Sequence, residues 1–240
     1  MPLSRHGLRE MLLLTLLLGI LAWGLAYVHP ALVTPVVLIW AGGLAFFRDP
    51  NRAIPAEPGL LVAPADGRVT EITRLNHHDL IDGPATRIGI FLSVFDVHIN
   101  RSPCAGRAVS VNYQPGEFLD ARHTESGQRN ESTTLIIRPD EGPPRPIVVR
   151  LVAGLIARRI VCTVTAGSDL ARGQRIGLIK FGSRTELIVA RDAGWQVTAK
   201  IGDKVKGGSS VLCRHRTKTS DREDPHDQNP DRLTAQAASR

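Results

Sequence analysis

The chain has 240 residues, and 42% of them are hydrophobic, which is enough for the packed core of one ordinary domain or two small ones and excludes a wholly disordered chain. Its 30 Lys and Arg against 23 Asp and Glu give a net charge of +7, which favours an anionic partner such as nucleic acid or an acidic lipid surface. Aromatic residues make up only 5%, too few for the stacking surfaces of a nucleic-acid binder. Three isolated cysteines, Cys104, Cys162 and Cys213, exclude a disulfide scaffold, predict no metal site and fit a reducing compartment.

Two apolar segments lie near the start of the chain. Residues 11–28 and 31–47 contain no Asp, Glu, Lys or Arg, and each approaches the roughly 17–25 residues of a bilayer crossing. His29 and Pro30 predict a turn between them. Arginines flank the pair on both sides, at Arg5, Arg9, Arg48 and Arg52. The positive-inside rule therefore places both flanks, and the rest of the chain, in the cytoplasm.

We accordingly predict that residues 1–55 form a hydrophobic helical hairpin with its flanks, which anchors the protein in the cell membrane. Two alternatives stay open at this point. One is a cleaved signal peptide, which the second apolar segment makes less favourable. The other is a hairpin that lies in the membrane interface and does not cross it.

The following region is composed of short runs rich in β-branched residues, separated by glycine and proline. The predicted strands are 68–73, 86–94, 108–113, 132–138, 147–152, 160–164, 186–190 and 195–200. Helix is expected only at 154–158 and within 119–128. These runs predict a mostly β domain of the sandwich or barrel-sandwich kind over residues 56–213. Residues 214–240 are charged and poor in apolar side chains, which predicts a disordered tail.

Two segments of the β domain resemble each other. Asp169 stands four residues before Gly173, and Asp203 stands four residues before Gly207, each ahead of a further apolar run. This turn-and-strand pattern is typical of lipoyl and biotinyl carrier domains, which bear their cofactor on a lysine at a hairpin tip. Lys204 does not lie between well-matched strands. A non-enzymatic, membrane-anchored carrier or adaptor module is nevertheless one interpretation of the chain.

A glycine-punctuated segment, residues 172–184, is predicted to be a strand that ends in Phe-Gly-Ser-Arg. Gly182 leaves its own carbonyl open to attack, and the hydroxyl of Ser183 can attack it if a base takes the proton and a donor stabilises the oxyanion. Elimination from the resulting ester and hydrolysis of dehydroalanine would leave a pyruvoyl group, whose carbonyl forms an imine with an amine as pyridoxal phosphate does. A Gly-Ser pair alone is usually a turn, and Gly208-Ser209 is a second such pair.

Further segments stand around this pair in a distinctive order. They are Phe-Phe-Arg-Asp-Pro-Asn-Arg (46–52), Val-Ala-Pro-Ala-Asp-Gly-Arg-Val (62–69), Phe-Asp-Val-His-Ile-Asn-Arg-Ser-Pro (95–103), Gly-Glu-Phe (116–118), Asn-Glu (130–131) and Val-Ala-Gly-Leu-Ile-Ala-Arg-Arg-Ile (152–160). With Phe-Gly-Ser-Arg (181–184), their order and spacing over residues 46–212 resemble the phosphatidylserine decarboxylase proenzymes of the short, pyruvoyl-dependent type.

The resemblance implies that the chain cleaves itself between Gly182 and Ser183. The large chain, 1–182, would keep the anchor, and the small chain, 183–240, would start with the pyruvoyl group derived from Ser183 and stay bound by strand pairing. It also implies an Asp-His-Ser arrangement in which His98 activates the serine hydroxyl and Asp66 orients the histidine. The alternative roles are a turn residue for Asp66 and a half-buried strand residue for His98.

The histidine segment departs from one branch of the family. Long-type members carry a second histidine three residues after the first and assign it to maturation, whereas this chain, like the short type, has Arg101 there. How His98, Asn100 and Arg101 divide maturation and decarboxylation therefore stays open.

The resemblance further implies a carboxy-lyase of phospholipid biosynthesis that converts phosphatidylserine to phosphatidylethanolamine at the membrane, with no metal and no nucleic-acid partner. Arginine side chains suit the lipid phosphate, and the available ones are Arg158, Arg159 and Arg184. The substrate carboxylate is better held in dry surroundings, since a neighbouring cation would slow its loss. The resemblance does not decide whether the lipid backbone carries ester or ether chains, or whether the product is an archaeal-type analogue. It also leaves open whether the protein forms a homo-oligomer.

Overall fold

The computed structural model describes residues 3–4, 7–119, 129–154, 160–179 and 183–215. Two helices begin the chain: α1 covers Leu8–Val28, a 3-10 turn covers Pro30–Leu32, and α2 covers Val33–Phe46. The side chain of His29 accepts a hydrogen bond from the backbone N–H of Ala31 and so caps the turn, where Pro30 suits the first helical position. The predicted helical hairpin is therefore present.

The two helices differ in length more than the sequence predicts. The 21 residues of α1 span about 31 Å at a rise of 1.5 Å per residue, which matches the hydrocarbon core of a bilayer. Within the described part of the chain, α1 is the one helix long and apolar enough to cross a membrane. The 14 residues of α2 span only about 21 Å, shorter than the predicted second crossing, because the 3-10 turn takes up the start of that apolar segment.

The described residues after the hairpin form fourteen β-strands. The first seven are β1 (Leu60–Val62), β2 (Gly67–His78), β3 (Gly83–Leu92), β4 (Ile99–Arg101), β5 (Gly106–Gln114), β6 (Ser132–Pro139) and β7 (Ile147–Val152). The others are β8 (Ile160–Cys162), β9 (Asp169–Leu170), β10 (Arg175–Ile179), β11 (Ser183–Ala190), β12 (Trp195–Val197), β13 (Lys204–Val205) and β14 (Val211–His215), with a 3-10 turn at Arg191–Ala193.

Three antiparallel sheets contain these strands. The largest has the order β13-β2-β3-β11-β7-β6-β5-β9, so β11 is a central strand with partners on both sides. The two smaller sheets have the orders β1-β14-β12 and β4-β10-β8. The mostly β fold class predicted from the sequence is confirmed, and each of the eight predicted runs overlaps a strand.

Two details differ from the prediction. The segment 172–184 contains two strands, β10 and the start of β11, so Ser183 begins a strand where the sequence predicted that one would end. Short strands such as β4 and β13 were missed because two or three residues are too few to show a period-2 pattern. The predicted helices at 154–158 and 119–128 and the predicted tail at 214–240 lie largely outside the described residues.

The hairpin packs directly onto the β domain. A small apolar cluster joins the two, and its buried members are Met11, Phe46, Phe47, Val97, Ile99 and Leu178. The backbone N–H of Ser4 also donates to the carbonyl of Phe47 at 2.9 Å, which fixes the start of the chain beside the end of α2. The apolar hairpin and the segment around β4 therefore share one packed interface.

Candidate active site

Ser183 is the first residue of β11, the strand in the middle of the largest sheet. Its backbone pairs with Leu92 on β3, and its side chain is completely buried. Among the described residues its Oγ has no hydrogen-bond partner. A buried hydroxyl without a partner costs about 1–3 kcal/mol, so such a group usually has a chemical reason to be there. Gly182, the other half of the predicted cleavage site, lies outside the described residues.

The β4 segment is tied to the chain on both sides of residue 182. On one side, the backbone N–H of Ile179 donates to the carbonyl of His98 at 3.2 Å. On the other, the hydroxyl of Thr185 donates to Oδ1 of Asn100 at 2.7 Å. The two bonds hold Ile179 and Thr185, the described residues on either side of the proposed cleavage site, against the segment that carries His98 and Asn100.

His98 is fully buried in this segment, and burial lowers its pKa to about 4. Nδ1 lies 3.0 Å from the carbonyl oxygen of Asp96. Because a carbonyl only accepts, Nδ1 carries the proton in this bond, and Nε2 of the neutral ring carries the lone pair. The geometry thus provides an uncharged imidazole whose tautomer is set by the backbone, which is the form that a general base needs at neutral pH.

The apolar surroundings of His98 come partly from the membrane hairpin. The ring of Phe46, the last residue of α2, lies 4.3 Å from the imidazole, centroid to centroid, at an interplanar angle of 36°. Phe46 also meets Phe47 in an edge-to-face contact at 5.1 Å. A residue of the anchor therefore forms one wall of the candidate site.

Asp66 occupies a turn beside the site and makes two strong contacts. Its Oδ2 lies 2.6 Å from Nη2 of Arg52, and its Oδ1 accepts a hydrogen bond from the backbone N–H of Gly207 at 2.8 Å. Burial raises the pKa of Asp66, and these two donors lower it, with a net rise. Among the described residues, the carboxylate of Asp66 bonds to Arg52 and Gly207, and Nδ1 of His98 bonds to the carbonyl of Asp96.

Arg101, the residue three positions after His98, is buried and ion-paired. Its guanidinium donates to the carbonyl of Gly173 at 3.0 Å and to Oδ1 of Asp49 at 3.1 Å. Asp49 also pairs with Arg175 at 2.5 Å. These contacts fasten β4 to the segment that follows α2.

Arg184 points to the opposite side of β11 from Ser183, because neighbouring residues of a strand alternate between its faces. It is buried, donates to Oε1 of Glu186 at 2.8 Å and contacts the carboxylate of Glu71. Burial would raise the pKa of Glu71, but hydrogen bonds from Thr73, Arg87 and Arg184 lower it to about 2. Arg158 and Arg159, the other predicted phosphate-binding residues, lie outside the described residues.

The second Gly-Ser pair is a hydrogen-bonded turn. Gly208 has φ of +79°, which favours glycine, and its N–H donates to the carbonyl of Ala63 at 2.8 Å. The N–H of Ser209 donates to the carbonyl of Lys206 at 3.1 Å. This pair therefore has an ordinary structural role.

Sequence reasoning missed several parts of the site. No sequence motif marks three of these groups, because each contributes through a contact that forms only in the folded chain. They are the carbonyl of Asp96, the ring of Phe46 and the hydroxyl of Thr185. The Asp-Val-His spacing could have indicated the i to i−2 contact between His98 and Asp96. Among the described residues, no group of three or more His, Cys, Asp or Glu is placed to hold a metal ion.

Comparisons with known proteins identify the family of the chain. The family model for phosphatidylserine decarboxylase matches residues 43–213. A phosphatidylserine decarboxylase proenzyme of Rhodopirellula baltica is 42% identical over 215 residues, covering 90% of this chain and 89% of that protein. A proenzyme of Desulfotalea psychrophila is 40% identical, covering 73% of this chain and 80% of that protein. A proenzyme of Solibacter usitatus is 38% identical, covering 89% of this chain and 97% of that protein. The chain belongs to the phosphatidylserine decarboxylase family.

Proposed function

We propose that this chain is a proenzyme that cleaves itself at Gly182-Ser183 and then converts phosphatidylserine to phosphatidylethanolamine. The observation that carries the proposal is the buried, unpartnered Oγ of Ser183, tied through β11 to the segment of a neutral histidine. Membership in the family supplies the reaction class, a carboxy-lyase.

In the proposed maturation, Oγ of Ser183 attacks the carbonyl carbon of Gly182 and its proton passes to Nε2 of His98. The amide nitrogen leaves with a proton, so an ester replaces the peptide bond. Loss of the α-proton of residue 183 then expels the carboxylate of Gly182 and leaves dehydroalanine. Water adds to this residue and ammonia departs, which yields the pyruvoyl group.

The residues around Ser183 fit such a group, because its position is buried and held by strand pairing with Leu92. The pyruvoyl carbonyl supplies a sink for the electron pair that is released when carbon dioxide leaves an amine substrate. The chain's own part in turnover is to orient the substrate, exclude water and move protons. His98, neutral and buried, is the proposed proton carrier, and Asp66 is proposed to support the site through Arg52 and Gly207.

The two products of cleavage are expected to remain one complex. The small chain would contain three strands that pair with strands of the large chain. β11 pairs with β3 and β7, β13 pairs with β2, and β14 pairs with β1. The whole of β11 is buried. Separation would therefore expose a central strand and both of its partners.

The substrate phosphate needs a cation near the membrane surface. We propose Arg158 and Arg159 for this role ahead of Arg184, because Arg184 would first have to leave Glu71 and Glu186. We further propose that the hairpin holds the site at the bilayer on its cytoplasmic side, a proposal supported by the length and apolar composition of α1 and by the arginines that flank the hairpin. A carrier function has less support, since Lys204 lies in β13, paired with Arg68, and not at a hairpin tip.

The test is a decarboxylation assay with the purified chain and phosphatidylserine labelled in the serine carboxyl group. We expect labelled carbon dioxide and an equal amount of phosphatidylethanolamine from the wild type and from Ser209→Ala, and neither product from Ser183→Ala. A wild-type chain that is cleaved but releases no carbon dioxide from this lipid would refute the proposed substrate.

A further inference from the structure

The turn between β3 and β4 exposes two neighbouring apolar side chains. Val94 is 42% exposed and Phe95 is 82% exposed, and no other large hydrophobic side chain in the described residues is as exposed as Phe95. We call these two residues the apolar tip. Burying a phenylalanine is strongly favourable, so a tip of this kind indicates a surface that meets an apolar partner.

The exposure of the tip is fixed by the turn that bears it. Oδ2 of Asp96 accepts hydrogen bonds from the backbone N–H of Ser93 at 2.9 Å and from its hydroxyl at 2.7 Å. The N–H of Asp96 returns a bond to the carbonyl of Ser93 at 2.9 Å. With both ends of the turn locked together, Val94 and Phe95 cannot fold back onto the domain without breaking these bonds.

The tip is also fastened to the end of the membrane hairpin. The guanidinium of Arg48, two residues beyond α2, donates to the carbonyl of Phe95 and, at 2.9 Å, to the carbonyl of Ala45 in the last turn of the helix. The same arginine therefore contacts both the helix end and the tip. With the hairpin inserted in a bilayer, the end of α2 would mark the surface, and Phe95 would lie at that level.

Positive side chains lie beside the turn that bears the tip, and we call Arg48, Arg68 and Lys204 the basic rim. Arg68 and Lys204 line a cavity of about 220 Å³ together with Ser93 and Asp96. Arg48 and Arg68 donate to backbone carbonyls, so among the described residues their charges are not cancelled by a contacting carboxylate. An apolar tip with a basic rim is the composition that binds acidic lipid surfaces.

We propose that the apolar tip inserts into the acidic face of the bilayer as a second membrane contact, beside the hairpin. The contact would hold the opening of the site against the lipid surface, because His98 follows the tip by only a few residues. The proposal extends the proposed function by assigning how the site meets its lipid, but the membrane contact itself does not depend on catalysis.

Leu80 provides a control at an exposed apolar residue far from the tip. Its side chain is 40% exposed, a fraction similar to the 42% of Val94. Leu80 lies in the turn before β3, whereas the tip follows β3. Ten residues of strand separate the two turns by about 30 Å. Leu80 is therefore an exposed apolar residue at the end of the sheet away from the tip.

The experiment places the photoreactive residue p-benzoylphenylalanine at position 95 or at position 80 of the full chain. Each variant is reconstituted into vesicles of phosphatidylcholine and phosphatidylglycerol that contain an alkyne-bearing phosphatidylcholine. Both positions are surface residues, and an unchanged melting temperature verifies folding. We expect a lipid adduct after illumination at position 95 and only background at position 80.

Two outcomes would overturn the proposal. One is a lipid adduct at position 95 no greater than at position 80. The other is cross-linking of position 95 to a second copy of the chain, which would identify the tip as an interface between copies. Neither readout requires cleavage or turnover, so failure here is distinguishable from failure of the proposed decarboxylation.

An activity comparison follows if the adduct forms. Phe95→Ser should lower turnover of phosphatidylserine in vesicles about tenfold, the order expected from losing one buried aromatic ring, and should leave turnover in detergent micelles unchanged. Phe95→Leu keeps an apolar side chain and should retain most of the vesicle activity. Equal losses in vesicles and micelles would show that the residue acts within the site and not through the membrane.

Discussion

At the scale of single residues, the proposed chemistry requires that His98 is kept neutral. Burial is the main cause of its low pKa, the positive charge of Arg48 lowers the pKa further, and the carbonyl of Asp96 opposes both. The sequence, through its resemblance, indicated Asp66, His98 and Ser183 as the reacting set. It could not indicate that a backbone carbonyl contacts Nδ1 of the histidine, because every residue has a backbone carbonyl whatever its side chain.

The pH dependence of self-cleavage tests this state of His98. Its folded pKa of about 4 lies below the ordinary 6.5, so the folded protein keeps the imidazole neutral, while the unfolded chain takes up a proton as the pH falls below 6.5. We expect the cleavage rate to stay level down to about pH 5 and to fall with a midpoint near 4, and folding stability to decline between pH 6.5 and 4. The fraction cleaved against time at each pH measures the rate.

A midpoint near 6.5 would mean that the histidine is solvated and would contradict this account. His98→Gln provides the control, since it keeps a polar side chain of similar length but cannot act as the base, and it should remain uncleaved at every pH.

At the scale of elements, β11 joins the site to the rest of the fold. One face carries Ser183 and Thr185 toward β4, and the other carries Arg184 and Glu186 into a buried ion-pair network. The central position of this strand could not be derived from the sequence, because its first four residues are polar and its last four apolar, with no alternation that would mark its partners. The strand itself was predictable from its apolar residues.

Loss of the Thr185–Asn100 bond should destabilise the fold and slow cleavage. Thr185→Val keeps the side-chain shape but leaves Oδ1 of buried Asn100 without this donor, which costs about 1–3 kcal/mol. Denaturant unfolding in a Ser183→Ala background measures the stability, and the cleavage rate is followed in the native background. Thr86→Val, at a buried threonine of β3, is the control. An unchanged cleavage rate would show that the bond does not position the site.

Removal of a partner from the network around Arg184 should have a larger effect. Glu186→Ala leaves a buried guanidinium with one carboxylate fewer, and breaking a buried pair in this way costs about 3–5 kcal/mol. Glu117→Ala removes the solvent-exposed pair with Arg129 and should change stability by about 0–1 kcal/mol. Equal effects from the two substitutions, in denaturant unfolding, would argue against a structural role for the buried network.

At the scale of the whole molecule, the apolar hairpin packs against the β domain and contributes Phe46 to the surroundings of His98. The apolar segments and their flanking arginines were sufficient to predict a hairpin, since insertion depends on composition. They could not predict that Phe46 would pack on His98 or that α2 would be shorter than a crossing, because those facts depend on how the hairpin meets the β domain.

Truncation of Phe46 tests the coupling between anchor and site. Phe46→Ala admits water to the imidazole, which should raise the pKa of His98 toward 6.5 and shift the midpoint of the cleavage profile in the same direction. Phe46→Leu keeps the apolar surroundings and should leave the midpoint low. Phe47→Ala removes a neighbouring aromatic ring from the same cluster and should lower stability without the pH shift. A midpoint that stays near 4 in Phe46→Ala would refute the coupling.

The central claim is that Ser183 becomes the reactive group by cutting its own chain. The most direct measurement is the intact mass, under denaturing conditions, of the wild type beside Ser183→Ala and Ser209→Ala. We predict two fragments from the wild type and from Ser209→Ala that meet at residue 182, the smaller with a pyruvoyl mass at its start and no free amine, and one intact chain from Ser183→Ala. A folded wild type that stays a single chain, or fragments that meet at residue 208, would contradict the account.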